Sequence, residues 1–284
     1  LEHARLAHAA EGEARTTLFA RYSLTGALCA ALGALAAGVP QWLGARGVDA
    51  LDALRAMFVL YALVGAMVFV AYRRLPVVAD DSDAASLPPA PLGPSRGIVL
   101  RLAALFSLDS FAGGLLVPSL LALWLFKRFD LSLASAGQFF FWSGLLTAAS
   151  QLAAPVVARR IGLLATMVYT HIPASLALIA AAFAPRLEVA LALLFLRAAL
   201  SQMDVPTRSA FVMLMVTPPE RAAAASTTAV PRSLAAAISP TLGGALFAAG
   251  LLAAPLVACG VLKITYDLLL LAAFRDVPPP EPSR

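Results

Sequence analysis

The chain has 284 residues, 61% of them hydrophobic and 13% charged, with a net charge of +5 and a mean hydropathy of +0.84. Soluble domains run nearer ~45–50% apolar and ~25% charged, so this balance excludes an ordinary water-soluble domain. Nucleic-acid binding is not expected either, because the basic residues are scattered at the ends of apolar runs instead of gathering on one polar face.

The opening stretch, LEHARLAHAAEGEART, is polar and reads as an internal loop, so the expectation is a piece of a longer protein. A bilayer core of ~30 Å needs ~20 apolar residues as helix. Eight runs qualify: 23–40, 53–72, 98–124, 133–157, 162–184, 188–215, 223–249 and 253–274. The expected fold class is therefore all-α, a polytopic membrane protein of about eight transmembrane helices. Mostly short connections make neighbours antiparallel. The exception is RRLPVVADDSDAASLPPAPLGPSR (73–96), acidic in its middle and rich in proline, which reads as a flexible linker. The chain thus divides into two helices (1–72), a linker (73–97), a six-helix unit (98–274) and a short tail (275–284).

With residue 1 inside, the inner segments hold Arg5, Arg15, Arg73, Arg74, Arg96, Arg101, Arg159, Arg160, Arg221, Arg275 and Arg284. The outer ones hold only Arg46, Arg55, Lys127, Arg128 and Arg186. Basic residues favour the cytoplasmic side, so both ends and the linker are expected there. Trp42 and Trp124, near outer ends of runs, fit an aromatic belt. Cys29 and Cys259 lie within apolar runs and suggest small buried residues, with no disulfide or metal spacing. A weak repeat relates RTTLFARYSLTGALCAALGALAAG (15–38) to STTAVPRSLAAAISPTLGGALFAAG (226–250), each with a Thr pair and then an Arg (Arg21, Arg232).

Several stretches carry a resemblance. APVVARRIGLLATM (154–167) resembles the loop between the second and third helix of a major facilitator superfamily half, although the usual acid of that loop is absent near Ala158. LRAALSQMDVPTR (196–208) resembles the fourth helix of a half, and TPPERAAAAS (217–226) the loop after it. LDSFAGG (108–114), SQMDVPTR (201–208) and LKITYDLLL (262–270) together look like one poorly characterised clade of that superfamily. The resemblance implies helices five to twelve of a twelve-helix fold, with four preceding helices as partners. It also implies that the third and sixth runs line a central cavity, in a bacterial inner membrane.

On that basis Asp109 and Arg197, estimated at ~16 Å and ~14 Å from opposite faces, are the expected pair for substrate or proton coupling, with Gln202 and Gln138 as hydrogen-bonding neighbours. An intramembrane charge is costly and so has a partner or a task. Gly113, Gly114 and Pro118 read either as a flexible gating helix or as close small-residue packing. Asp204 is placed ~24 Å from the outer face, with Arg208 one turn on and Pro206 weakening the ladder between them. Asp204, Arg208, Asp267, Lys263, Arg159 and Arg160 are the expected cytoplasmic latch. A snorkelling or structural pair is the blander alternative. His171 reads as a hydrogen-bonded histidine on a peripheral helix. No P-loop, HExxH, GxSxG or Cys-His metal spacing occurs, so ATP drive, hydrolysis, a metal and a cofactor are not expected. The expected activity is secondary transport of a small solute by alternating access, proton-coupled, with export favoured. A membrane scaffold or sensor that keeps the fold is the competing class.

Overall fold

The computed structural model describes residues 25, 26, 28–74 and 91–277. Much of the first repeat copy, the interior of the linker, the tail beyond 277, and Arg5, Arg15, Arg21 and Arg284 lie outside the described residues. Among the described residues every regular element is helical. The elements are α1 (Leu28–Gly44, with a turn at residues 37–38), α2 (Ala50–Arg73), α3 (Arg96–Gly114), α4 (Pro118–Phe129), α5 (Leu133–Ile161), α6 (Leu163–Ala182), α7 (Leu187–Leu200), α8 (Asp204–Met215), α9 (Arg221–Ala248) and α10 (Ala254–Phe274).

Six helices are long and apolar enough to cross a membrane: Ala50–Arg73, Arg96–Phe129, Leu133–Ile161, Leu163–Ala182, Leu187–Val212 and Ala254–Phe274. The run at 223–249 forms the 28-residue α9, but its Ser, Thr and Arg residues, with Pro231 and Pro240, keep it out of that apolar group. The run at 23–40 is described only in part, as the shorter α1. This is an all-α polytopic membrane protein.

Local chemistry sets the boundaries. Asp49 caps α2 by accepting from the N–H of Leu51 at 2.9 Å, and Ser132 caps α5 through the N–H of Ser135 at 3.1 Å. Gly162 joins α5 to α6 at φ +89°, a conformation that side-chain-bearing residues avoid. Small residues set the helix spacing. A Cβ on Gly243 would collide with the Leu115 carbonyl, and one on Gly114 would collide with Ser239, so α9 lies hard against α3. Likewise α1 docks on α5, where a Cβ on Gly137 would meet the Ala34 carbonyl at 2.7 Å.

Two of the six spans are interrupted. Residues 115–117 separate α3 from α4, and Ser201–Met203 separate α7 from α8. Pro118 therefore does not kink a continuous helix. It begins α4, where its missing N–H has no intrahelical partner to lose. Pro206 is likewise in the first turn of α8, so it removes nothing from the ladder between Asp204 and Arg208.

The apolar core is in two parts. One gathers Leu115, Trp124, Leu125, Leu178, Leu194 and Cys259. The other gathers Leu102, Phe106, Met167, Phe211, Tyr266 and Leu270. Trp124 is thus a core residue stacked edge-on to Phe129, not a member of an interfacial belt. Trp42 is exposed, with the Arg46 guanidinium over its ring. Cys259 is buried and Cys29 exposed. Asp109, His171 and Lys263 each fall along their helices between a residue of one core part and a residue of the other. A polar layer therefore lies between two apolar ones.

Candidate functional site

That layer is a single network of charge built by four helices. Asp109 comes from α3, His171 from α6, Asp204 and Arg208 from α8, and Lys263 and Asp267 from α10. All are buried except Lys263, whose side chain is 13% exposed. Arg208 Nη2 donates to Asp109 Oδ2 at 2.9 Å and also to Asp204 Oδ2, its neighbour one helical turn away. Lys263 Nζ donates to Asp109 Oδ1 at 2.6 Å. The Arg208 guanidinium also lies over the Phe106 ring, 5.2 Å from its centre.

His171 closes the far end. Its Nδ1 lies 3.0 and 3.1 Å from the two Asp267 oxygens, and its Nε2 lies 3.3 Å from Lys263 Nζ. The donors decide the tautomer. Lys263 has only protons to offer, so Nε2 must accept from it and Nδ1–H must donate to Asp267. This arrangement therefore suits a neutral imidazole. With His171 neutral, three carboxylates face two fixed cations, and one further proton balances the network. Arg208 Nε and the Tyr266 hydroxyl are buried without a hydrogen bond, so the network holds spare donors for a second arrangement.

Beside it lies a cavity of about 530 Å³. Both interrupted spans contribute to its wall, through Gly113 and Pro118 at one break and Ser201 and Gln202 at the other. Arg197 and Lys263 bring positive charge to it, and Phe139 and Phe140 bring aromatic surface.

The expected residues are thus regrouped. Asp109 does not pair with Arg197; Arg208 and Lys263 take both its oxygens, while Arg197 faces the cavity. Four expected latch residues, Asp204, Arg208, Asp267 and Lys263, do converge, but on Asp109 and His171 and not at a separate cytoplasmic layer. The apolar span runs on from Asp204 to Val212, roughly 12 Å of further helix, so Asp204 is not at the end of its span. Arg159 and Arg160 stay exposed at the end of α5 and join none of it. Gln202 lines the cavity, whereas Gln138 lines a separate recess of about 400 Å³ with Gly38 and Trp42. Gly114 packs against α9, and Gly113 faces Lys263. His171 is the residue that sequence reasoning undervalues. A histidine flanked by apolar residues in one run, with Lys263 and Asp267 one turn apart in another, is the available signal.

A second polar contact lies outside the spans. Glu220 accepts from the N–H groups of Gly93 and Ser95 (3.2 Å for Ser95) and from the Thr217 hydroxyl at 2.9 Å. It ties the start of α3 to the loop before α9. Hydrogen bonds from Ser95, then Gly93 and Thr217, hold its carboxyl below the ordinary Glu value. Among the described residues no three His, Cys, Asp or Glu side chains gather as a metal site needs.

No protein family model matches the chain, and no solved structure does. The chain is similar to an uncharacterized membrane protein of Saccharomyces cerevisiae, at 23% identity over 98% of this chain and 69% of that protein. Together with six apolar membrane-length helices, this makes it an integral membrane protein.

Proposed function

We propose that this chain is part of a secondary transporter of the major facilitator type, moving a small solute by alternating access coupled to protons. The observation that carries the reading is a buried network short of one positive charge, placed beside a cavity between two interrupted spans. Interrupted helices near the midplane are how transporters build solute and ion sites. A buried charge network is costly unless paired. One that is a single proton short of balance has a reason to exchange that proton with its surroundings.

The coupling works through Lys263. A proton arriving at His171 turns Nε2 into a donor, which can no longer face the Lys263 ammonium. The new N–H turns to Asp109, whose Oδ1 is 3.9 Å away, and Lys263 moves toward the cavity it already lines. The Asp204–Arg208 pair sits at the start of α8, next to the break in the span, and Arg208 re-partners between Asp204 and Asp109 as the helices rock. The ends of the chain lie on the cytoplasmic side in this reading, export is the favoured direction, and preceding helices of the same protein complete the cavity wall.

The test uses full-length protein in proteoliposomes with an imposed pH gradient and a panel of small solutes. Gradient-driven uptake is expected. It should lose its dependence on the gradient in His171→Gln and Asp267→Asn variants that still bind solute. Equal gradient-driven uptake in both variants would remove the coupling assignment. No uptake of any solute by wild type would favour a scaffold instead.

A further inference from the structure

We infer that the cavity between α3, α5 and α7 takes a small organic anion, a carboxylate on an apolar body, held by Arg197 and Lys263. The inference deepens the transport reading by naming its substrate class. Arg197 lies in the middle of a membrane span and is half-buried. Among the described residues it makes no ion pair, whereas Arg208, one turn into α8 beyond the break, makes two. An arginine at that depth is costly without an anion. Among the described residues no carboxylate lines the cavity. The acid beside it, Asp109, already has both oxygens taken. Among the described residues no acid is left to answer Arg197, and the ligand supplies the anion.

The rest of the wall describes the remainder of the ligand. Phe139 and Phe140 meet edge to face at 5.0 Å and, with Leu121 and Leu194, offer an apolar surface. Ser143, Thr147 and Gln202 add neutral hydrogen-bonding groups. A cavity of about 530 Å³ is in the range that buries a drug-sized ligand. Arginine suits a carboxylate because its planar fork meets both oxygens. A cationic solute would face Lys263 and the Arg197 charge, which no acid among the described residues offsets. The same geometry links ligand and proton: an anion that draws Lys263 from Asp109 leaves that carboxylate open to the proton carried by His171.

The experiment is isothermal titration of full-length protein in nanodiscs, at neutral pH, with naphthoate, its uncharged amide naphthamide, and naphthylmethylamine. These share one apolar body and differ in charge. Naphthoate should bind, naphthamide at least about tenfold more weakly, and the amine not measurably; tenfold is the loss of one charge-assisted contact. Arg197→Gln should weaken naphthoate by a similar factor and leave naphthamide unchanged, and Arg197→Lys should restore most of the loss. The ranking in wild type stands by itself if Arg197→Gln does not fold. Naphthamide or the amine binding as tightly as naphthoate overturns the inference, as does naphthoate binding indifferent to Arg197→Gln. Binding in the expected order without gradient-driven uptake of any solute keeps the anion site and sinks the transport reading. Gradient-driven uptake of a neutral or cationic solute with no naphthoate binding does the reverse.

Discussion

The charge network between α3, α6, α8 and α10 and the cavity beside it share Lys263, yet they treat charge in opposite ways. In the network each carboxylate has a basic partner within 3.1 Å, and Arg208 serves two acids at once. In the cavity wall Arg197 has no acid among the described residues. Both arginines lie in the same interrupted span. The break at Ser201–Met203 sends them to different surroundings, one into the packed core and one onto an open face. A charge with a built-in partner holds the fold together. A charge without one is kept for something that arrives later. The two classes therefore predict opposite responses to substitution.

The largest effect should come from Arg208→Met. It leaves Asp109 and Asp204 buried with one cation fewer, and removing one member of a buried pair costs about 3–5 kcal/mol. Unfolding followed in detergent should show that loss. A loss below about 1 kcal/mol, typical of exposed pairs, would mean that water reaches the network and that the contrast with the cavity is false. The adjacent glycines of α3 divide the same way on a smaller scale. Gly114→Ala drives a methyl into Ser239 and to 3.0 Å from the Ala236 carbonyl, so overpacking should cost about 1–3 kcal/mol. Gly113→Ala meets only Lys263 carbon and nitrogen at 3.8 Å, ordinary contact, and thermal unfolding should be unchanged. Equal losses at the two positions would show that α3 is not seated hard against α9.

Much of this architecture is legible in the amino-acid sequence. Run length marks each of the six spans, because bilayer thickness leaves little freedom. The pairing of Asp204 with Arg208 is legible from i, i+4 spacing. Pro206 shortly after Asp204 is a helix-start signal, although the same proline inside a long apolar run also suits a weakened ladder. The pairing of Asp109 with Arg197 fails for a physical reason. Depth along two helices says nothing about which way their side chains turn, and the non-helical residues 201–203 reset the face of everything after them. The weight of His171 depends on Asp267 and Lys263, in a helix about ninety residues away, through the roughly 3 Å reach of a hydrogen bond. Local pattern places Glu220 in a loop and no more. That it caps the start of α3 depends on chain packing that no local pattern encodes.

Glu220 supplies an intermediate case, an acid outside the spans answered by N–H and hydroxyl donors and not by cations. Its carboxyl is held below the ordinary value of 4.5, so the sign is fixed. The stabilisation it contributes is fully present above that value and is lost as pH falls through its lower value in the folded state. Melting temperature measured across acidic pH should drop more steeply in wild type than in Glu220→Gln, and the two curves should converge at the acid end. Parallel curves would show that Glu220 contributes nothing through its charge.

Among the charged positions the smallest stability effect is expected at Arg197, and its smallness is the informative part. An arginine that stabilised the fold would act through an acid, and losing that acid's partner would cost several kcal/mol, as at Arg208. Arg197 has no such acid among the described residues, and replacing it by Gln relieves a half-buried charge while keeping hydrogen-bonding capacity. Arg197→Gln should therefore unfold at the wild-type temperature or slightly above it in the absence of ligand. Its melting temperature should also fail to rise when naphthoate is added, since a ligand that binds only the folded state stabilises it in proportion to its affinity. Wild type should show the rise. A variant markedly less stable than wild type without ligand would place a structural partner at Arg197 and return it to the class of Arg208.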